Sequence, residues 1–451
     1  MNTGFKAYDR NQLTLFPPSL GDWIPANDFC RFLVEALESL NLSDFYKDYA
    51  PGTGRRAYPP EIILGTLLYA YSLGMRSSRK IETACLADVR FRYVCAGMMP
   101  DHSTLSRFRS KHEEQIVDLF SKTVRLAYEM GMKKMVTIAI DGTKIKANAS
   151  LASNKTKDGL KEELEAIVKE AGQQDKEEDQ LHGDKRGDEL PDDLSDSKTR
   201  KGRIEECLQR LEKKEEDAKE TQAKKIKERE DDEKKKGKKK RGRKPKMPDE
   251  VVNKDAKANV TDPESRIMKS SKGFIQGYNA QASVTEEQLI IAAELTQEEN
   301  DQKQLVPMIK ASQENTKFAD ESVTAALADT GYYNEEEIES LPEDSPELYL
   351  ATKKDREQRS DCVSDKSPKG RIPSALSAKG KMERKLLTKK GKKMYSKRGW
   401  MVEGTFGQMK HDLGFDHFMR RGKSACASEW KLMCSVHNLL KIFRFQAMAT
   451  A

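Results

Sequence analysis

Two short apolar runs, far apart in the chain, each end in an acid with a glycine close behind. They are Val136-Thr137-Ile138-Ala139-Ile140-Asp141-Gly142 and Thr324-Ala325-Ala326-Leu327-Ala328-Asp329-Thr330-Gly331. Apolar runs of about four to eight residues bounded by turn residues read as strands buried on both faces. Each Asp then stands where its strand leaves the core, and a carboxylate is expensive to bury there unless a positive group pairs with it. Asp-Gly alone is an ordinary way to start a turn. The repetition is what constrains the chain, because two strand-end acids suggest a shared site for a hard cation and call for a third acid.

The 451 residues allow two or three domains and a core that needs no staples. With 34% charged residues and a mean hydropathy of −0.80, however, much of the charge must lie outside any core. No apolar run reaches the about eighteen residues of a membrane span. Met1 to Pro18 lacks the basic start and apolar centre of a secretory signal, so a cytoplasmic, nucleoid-associated location is expected. The seven cysteines are scattered with no CxxC pair, and the six histidines include no HExxH, which argues against disulfides and zinc. A net charge of +7 says less than its distribution.

The first 130 residues read as helices. Asp28 can cap Phe29–Leu37, Pro60 opens a helix running to Leu73, and Gly74 ends it. Arg79–Asp88 is a third, and Pro100-Asp101-His102-Ser103-Thr104 starts a long fourth running to about Met130. Short helices, tight turns and a Ser/Thr start followed by Arg107, Arg109 and Lys111 resemble a helix-turn-helix DNA-binding unit. An ordinary helical bundle with a basic wet face remains the alternative, since those three cations do not share one helix face.

Residues 151–265 form a charged insertion. Leu160, Leu164, Ile167 and Val168, and later Ile204, Cys207, Leu208 and Leu211, keep helical apolar spacing around an acidic stretch, Gln173 to Ser197. Lys234 to Lys246 then holds ten Lys or Arg in thirteen residues. Within it, Arg241-Gly242-Arg243-Lys244-Pro245 resembles an AT-hook, in which Arg241 and Arg243 would enter a narrow minor groove. A tail that binds phosphates without sequence preference is the competing reading. From Gly273 the pattern becomes strand (Gly277–Thr285), strand (Leu289–Leu295), helix (Asp301–Lys310), strand (Val323–Ala328), helix (Asn334–Leu341) and strand (Glu347–Thr352), a mixed α/β order. Lys353 to Lys393 yields no firm element.

The third acid is Glu403. In a helix starting near Trp400, Glu403 and Lys410 would be two turns apart on one side. Gly404 and Gly407, each costing about 1 kcal/mol of helix propensity, would let another backbone or nucleic acid come close. The segments Ile140-Asp141-Gly142-Thr143-Lys144 and Ala328-Asp329-Thr330-Gly331-Tyr332-Tyr333, with Tyr395, Arg398, Glu403 and Lys410, resemble those of insertion-sequence DDE transposases bearing a Tyr-Arg-Glu-Lys motif. One departure is that four residues, not the usual three, separate Arg398 from Glu403. The segments Tyr58–Arg109 and Gly414–Gly422, with His437-Asn438-Leu439, resemble the family's opening and closing segments.

That resemblance implies an α/β ribonuclease-H-like catalytic domain with a mixed sheet, made of residues 131–150 and 266–446. An all-α N-terminal DNA-binding domain (1–130) would precede it, and the charged helical insertion would interrupt it. It implies that Asp141, Asp329 and Glu403 hold two Mg²⁺ ions, with Mn²⁺ as a substitute, for cutting element ends and joining them to target DNA. Tyr395, Arg398 and Lys410 would hold DNA phosphates. The implied partners are terminal inverted repeats and target DNA, bound by a homodimer or higher multimer. A nuclease of the same fold without strand transfer, and a DNA-binding protein with a decayed site, are the alternatives.

Overall fold

The structure, a computed structural model, describes residues 19–47, 49, 56–167, 192–236, 245–251, 253, 255–270, 273–342, 345–364, 367–368, 370–373 and 375–449. Arg241, Arg243, Val168 and the acidic stretch up to residue 191 lie outside the described residues.

The described residues before the first strand are helical. α1 (Phe29–Ser39) starts where Asp28 accepts a bond from the Cys30 amide at 3.0 Å, and it buries Cys30, Phe32, Leu33, Ala36 and Leu37. After α2 (Ser43–Tyr46), α3 (Pro60–Ser72) opens on the expected proline and is buried on almost every side. α4 (Ser78–Ala87) and α5 (Val89–Val94) follow. The single long helix expected after Pro100 is in fact two, α6 (His102–Lys111) and α7 (Glu113–Glu129). The break falls at His112, whose φ of −113° and ψ of 38° leave the helical region. Its ring is buried 4.5 Å from Phe108, so the chain bends to pack the imidazole rather than continue the helix.

β1 (Thr137–Lys146) carries Asp141 and leads into the insertion. There β2 (Asn154–Thr156) pairs with β3 (Lys257–Asn259), flanked by a helical stretch over 157–167 and by α8 (Asp192–Lys236). The two apolar stripes read from the sequence meet here: Leu160, Ile204, Cys207 and Leu211 join Ala258 and Val260 in a small core of their own, apart from the main one. Beyond Leu211, α8 carries mostly charged, exposed residues.

The main sheet adds β4 (Arg266–Ser270), β5 (Gly273–Thr285), β6 (Ile290–Thr296), β7 (Ala325–Ala328) and β8 (Glu347–Leu350). Its order is β6-β5-β1-β7-β8, with β4 pairing β5 beside β6. β1 runs antiparallel to β5 and parallel to β7, and β7 runs parallel to β8. The helices between and after the strands are α9 (Leu305–Asn315), α10 (Glu335–Glu339), α11 (Asp355–Val363), α12 (Ala378–Leu386), α13 (Lys389–Gly407) and α14 (Lys423–Ala449). α13 lies against β1, β7 and β8, while α14 packs on α3, α7 and β6. One apolar core therefore runs from Leu64 and Leu119 through Ile140 to Trp430, and packing is continuous across residue 130.

Two stretches differ from their sequence reading. β5 alternates polar and apolar residues, yet Asn279, Gln281 and Ser283 on its polar face are fully buried. Residues 353–393, which gave no element, hold α11, α12 and the start of α13. α13 begins at Lys389, where Thr388 Oγ1 accepts from Gly391 N at 3.0 Å, so Tyr395 and Arg398 both lie in the helix. The stretch was illegible because lysine stems do the covering: Lys385 lies over the Tyr349 ring and donates to Leu348 O.

Candidate active site

The parallel pairing of β1 with β7 ends with Ile140 opposite Ala328, so the next residues, Asp141 and Asp329, follow side by side: β7 stops there, while β1 continues past Asp141 to Lys146, paired with β5. Each then has one carboxylate oxygen held by a glycine amide. Gly142 N donates to Asp141 Oδ1 at 2.8 Å, and Gly331 N donates to Asp329 Oδ1 at 2.9 Å. The other oxygens turn to one cation. Arg398 Nη2, buried on α13, lies 2.9 Å from Asp141 Oδ2 and 3.7 Å from Asp329 Oδ2. Burial pushes the Asp141 carboxyl up to about 6; Arg398 pulls against that shift and Asp329 adds to it. Two carboxylates therefore converge on one positive group, with their second oxygens as hard donors at a common point.

Glu403 is not part of this cluster. It is exposed on α13 and ion-paired with Arg359 of α11. Among the described residues, no group of three acids or other metal-binding side chains stands close enough to hold one ion. Nor do Glu403 and Lys410 share a side. At Gln408 the α-helix widens into a π-helical turn, Gln408–Asp412, and the change of pitch carries Lys410 inward. Its ammonium donates to Lys144 O at 3.1 Å, and burial holds its pKa below the usual lysine range. Tyr395 is buried one turn before Arg398.

A second polar cluster, which the sequence did not signal, backs onto the two aspartates. Asp301 Oδ1, ahead of α9, accepts from Asn279 Nδ2 at 2.6 Å and Gln281 Nε2 at 2.7 Å, and lies 3.7 Å from Lys144 Nζ. The Tyr332 hydroxyl donates to Gln281 Oε1. Burial, then Asp301, Asp141 and Asp329, raise the Tyr332 pKa well above the usual phenol value, so this ring sits among all three acids. The period-two alternation of β5 could have flagged Asn279 and Gln281; nothing local distinguishes Asp301 from a helix-starting Asp.

On the N-terminal helices the two arginines singled out by sequence part company. Arg109 is buried and donates to the Tyr71 hydroxyl, Arg76 O and Ser78 Oγ, so it serves the interior and not a surface. Arg107 is exposed, and Ser103, Ser106, Ser110 and Lys111 lie on its side of α6. A cleft shared with Arg79 borders Ser103, Ser106 and Arg107 on one flank, and a cleft containing Arg56, Tyr49 and Tyr58 borders Arg107 and Lys111 on the other.

Comparison with known families accounts for both ends of the chain. Residues 18–111 match the family described as Transposase domain (DUF772), and residues 357–443 match the family described as Transposase DDE domain. No curated protein and no solved structure matches significantly. The fold and the paired aspartates suit a phosphoryl-transfer enzyme of the DDE class. Together the two matches support an insertion-sequence DDE transposase, a metal-dependent enzyme of DNA cleavage and transfer. No described helix is long and apolar enough to cross a membrane.

Proposed function

We propose that Asp141, Asp329 and Glu403 are the catalytic acids and together hold two Mg²⁺ ions, with Mn²⁺ as a working substitute, in a ribonuclease-H-like domain. The observation that carries this reading is the convergence of Asp141 and Asp329 on a single positive group, Arg398. The bound ions would activate a water or DNA 3′-hydroxyl and stabilise the leaving oxygen. Arg398 occupies the point at which the ions would be held, and Glu403 would complete the set by giving up Arg359. Released from its bridge, Arg398 presents a bidentate fork to a DNA phosphate. Lys410 and Tyr395, expected to hold phosphates, both turn inward, and in this reading they fix the helix that carries Arg398. The acids do the chemistry without a covalent protein intermediate, so no Ser or Tyr nucleophile is assigned.

The exposed side of α6 is the DNA-recognition surface in this reading. Its ten residues span about 15 Å at the α-helical rise, and a major groove about 12 Å wide admits such a helix. Ser103, Ser106 and Ser110 can reach base edges, while Arg107, Lys111 and the flanking Arg79 and Arg56 meet phosphates. Binding two terminal inverted repeats and a target calls for a homodimer or higher multimer, acting at the nucleoid in the cytoplasm.

The test is purified protein with Mg²⁺ and a labelled plasmid carrying the element's ends, scored for end cleavage and for joining to a second DNA. Asp141→Asn, Asp329→Asn and Glu403→Gln should each abolish both reactions while DNA binding persists. Cleavage by any one of them removes that residue from the site. Cleavage without joining in the parent protein indicates a nuclease, and binding with neither reaction a decayed site.

A further inference from the structure

Asp301 lies outside the acid set and outside the four motif positions, yet it touches the chain immediately behind both aspartates. We infer that Asp301 is a positioning residue that braces Asp141 and Asp329 in register through Gly142, Gln281 and Tyr332; this rests on the reading of those two acids as catalytic.

On the β1 side the contact is one of space. Gly142 pairs with Gln281 across the β1–β5 ladder. A Cβ at residue 142 would overlap the Gln281 amide nitrogen and come within 2.7 Å of Asp301 Oδ1 and 2.9 Å of Asn279 Oδ1. The glycine after Asp141 is therefore there to let the Asp301 cluster press flat against the strand. It is also the residue whose amide holds Asp141 Oδ1.

On the β7 side the contact is a hydrogen-bonded chain. Asp301 accepts from Gln281, and the far end of the same amide accepts from the Tyr332 hydroxyl. Tyr332 closes the short 3₁₀ turn, Thr330–Tyr332, that Asp329 caps. Within that turn the Gly331 amide holds Asp329 Oδ1. A Cβ on Gly331 would sit 3.1 Å from Asp329 Oδ1 and in ordinary contact, 3.7 Å, with Asp301 Oδ2, so Asp301 borders this turn, while the hydrogen-bonded chain through Gln281 and Tyr332 is what links them.

Both aspartates are thus gripped at one oxygen by a glycine amide, and one carboxylate reaches both grips, directly behind Gly142 and through Gln281 and Tyr332 at Gly331. The grip leaves the two Oδ2 atoms aimed at a common point. A carboxylate suits the task because it accepts from Asn279 and Gln281 together, and Lys144 at 3.7 Å offsets its charge. A role confined to tethering the loop before α9 would need neither the glycine after Asp141 nor the link to Tyr332.

The experiment measures binding of Mn²⁺ to the full-length protein, followed by loss of the free-ion electron paramagnetic resonance signal, with thermal unfolding and DNA cleavage run alongside. Asp301→Asn should raise the half-saturating Mn²⁺ concentration by roughly ten-fold or more, the range seen when groups that orient metal ligands are removed. Tyr332→Phe, which keeps every carboxylate and cuts the chain to Asp329, should shift it the same way by a smaller factor. DNA binding should be unchanged in both. Where Asp301→Asn fails to fold, Tyr332→Phe decides. Wild-type Mn²⁺ binding in Tyr332→Phe overturns the inference, as does a shift in Asp301→Asn that Tyr332→Phe does not share. Asp141→Asn separates the two levels: if it binds Mn²⁺ like the parent protein, the catalytic reading itself fails. If it loses binding while Asp301→Asn and Tyr332→Phe keep it, the catalytic reading stands and the inference alone is lost.

Discussion

Arg359 on α11 and Glu403 on α13 form an ion pair, while Asp141 and Asp329 converge on Arg398. Arg359 and Glu403 are both about half exposed, and pairs of this kind are worth about 1 kcal/mol or less. Releasing Glu403 is therefore cheap, and a cation at the two aspartates can compete for it. Arg359→Ala should raise cleavage at limiting Mg²⁺ by up to about five-fold, the factor that ~1 kcal/mol supplies, and leave the thermal midpoint almost unmoved. A Mg²⁺ titration identical to that of the parent protein would show that Arg359 does not compete.

Asp141 ties activity and stability to pH in opposite directions. Its carboxyl is raised to about 6, above the usual carboxylate range, with burial as the main cause. Only the ionised form can bind a cation, so cleavage should fall as pH drops through about 6. For stability, the folded state binds the proton more tightly than the unfolded state. The favourable contribution is complete below the unfolded pKa and is lost as pH rises through the folded value. Asp141→Asn removes that loss: it should be more stable than the parent protein at pH above about 6, by at most about 3 kcal/mol. The difference should close toward pH 4. Chemical denaturation at both ends of that window measures it, and a gap that widens toward acid would contradict the burial argument.

How much of this was legible in the sequence depends on whether the signal was local. The apolar runs before Asp141 and Asp329 were legible because a buried parallel strand is an apolar run; the acid marks the strand's exit at Asp329, whereas β1 continues past Asp141 to Lys146 on its pairing with β5. The helix cap Asp28 was legible for the same reason: its work is done within two residues. The break at His112, the π-helical turn after Gly407 and the helices over 355–386 were not, because each answers to packing across the fold and not to periodicity. The polar face of β5 misled most. Alternation implies a wet face, but Asn279 and Gln281 are dry because Asp301, distant in sequence, satisfies their amides.

The basic run Lys234–Lys246 extends past the last charged turns of α8, and it offers a test by salt. A tail that contacts several phosphates contributes about 0.9 to the slope of log affinity against log salt for each one. Deleting residues 234–246 should weaken binding to random duplex and flatten that slope, while preference for the element's ends over random DNA is kept. Fluorescence anisotropy across a salt series reads both quantities, and an unchanged slope would rule the tail out as a phosphate contact.

Arg107 and Arg109, two residues apart on α6, should fail in different ways. Arg109 feeds a buried network in which Tyr71 donates to Glu429 at 3.3 Å, and Glu429 in turn accepts from the Met419 and Arg420 amides. Arg109→Ala strands a fully buried carboxylate whose pKa burial already raises, with Arg109 the main opposing influence. A loss of about 3 kcal/mol or more is expected from removing a buried charge partner, together with loosening of the 413–422 segment that joins the helices to the sheet. Arg107→Ala touches no such network and should change stability by no more than about 0.5 kcal/mol. It should instead weaken duplex binding and lower the salt slope by about one phosphate contact. Thermal unfolding and duplex titration of the two variants side by side distinguish these outcomes. If Arg109→Ala unfolds like the parent protein and binds DNA poorly, Arg109 and not Arg107 would be the residue that faces the duplex.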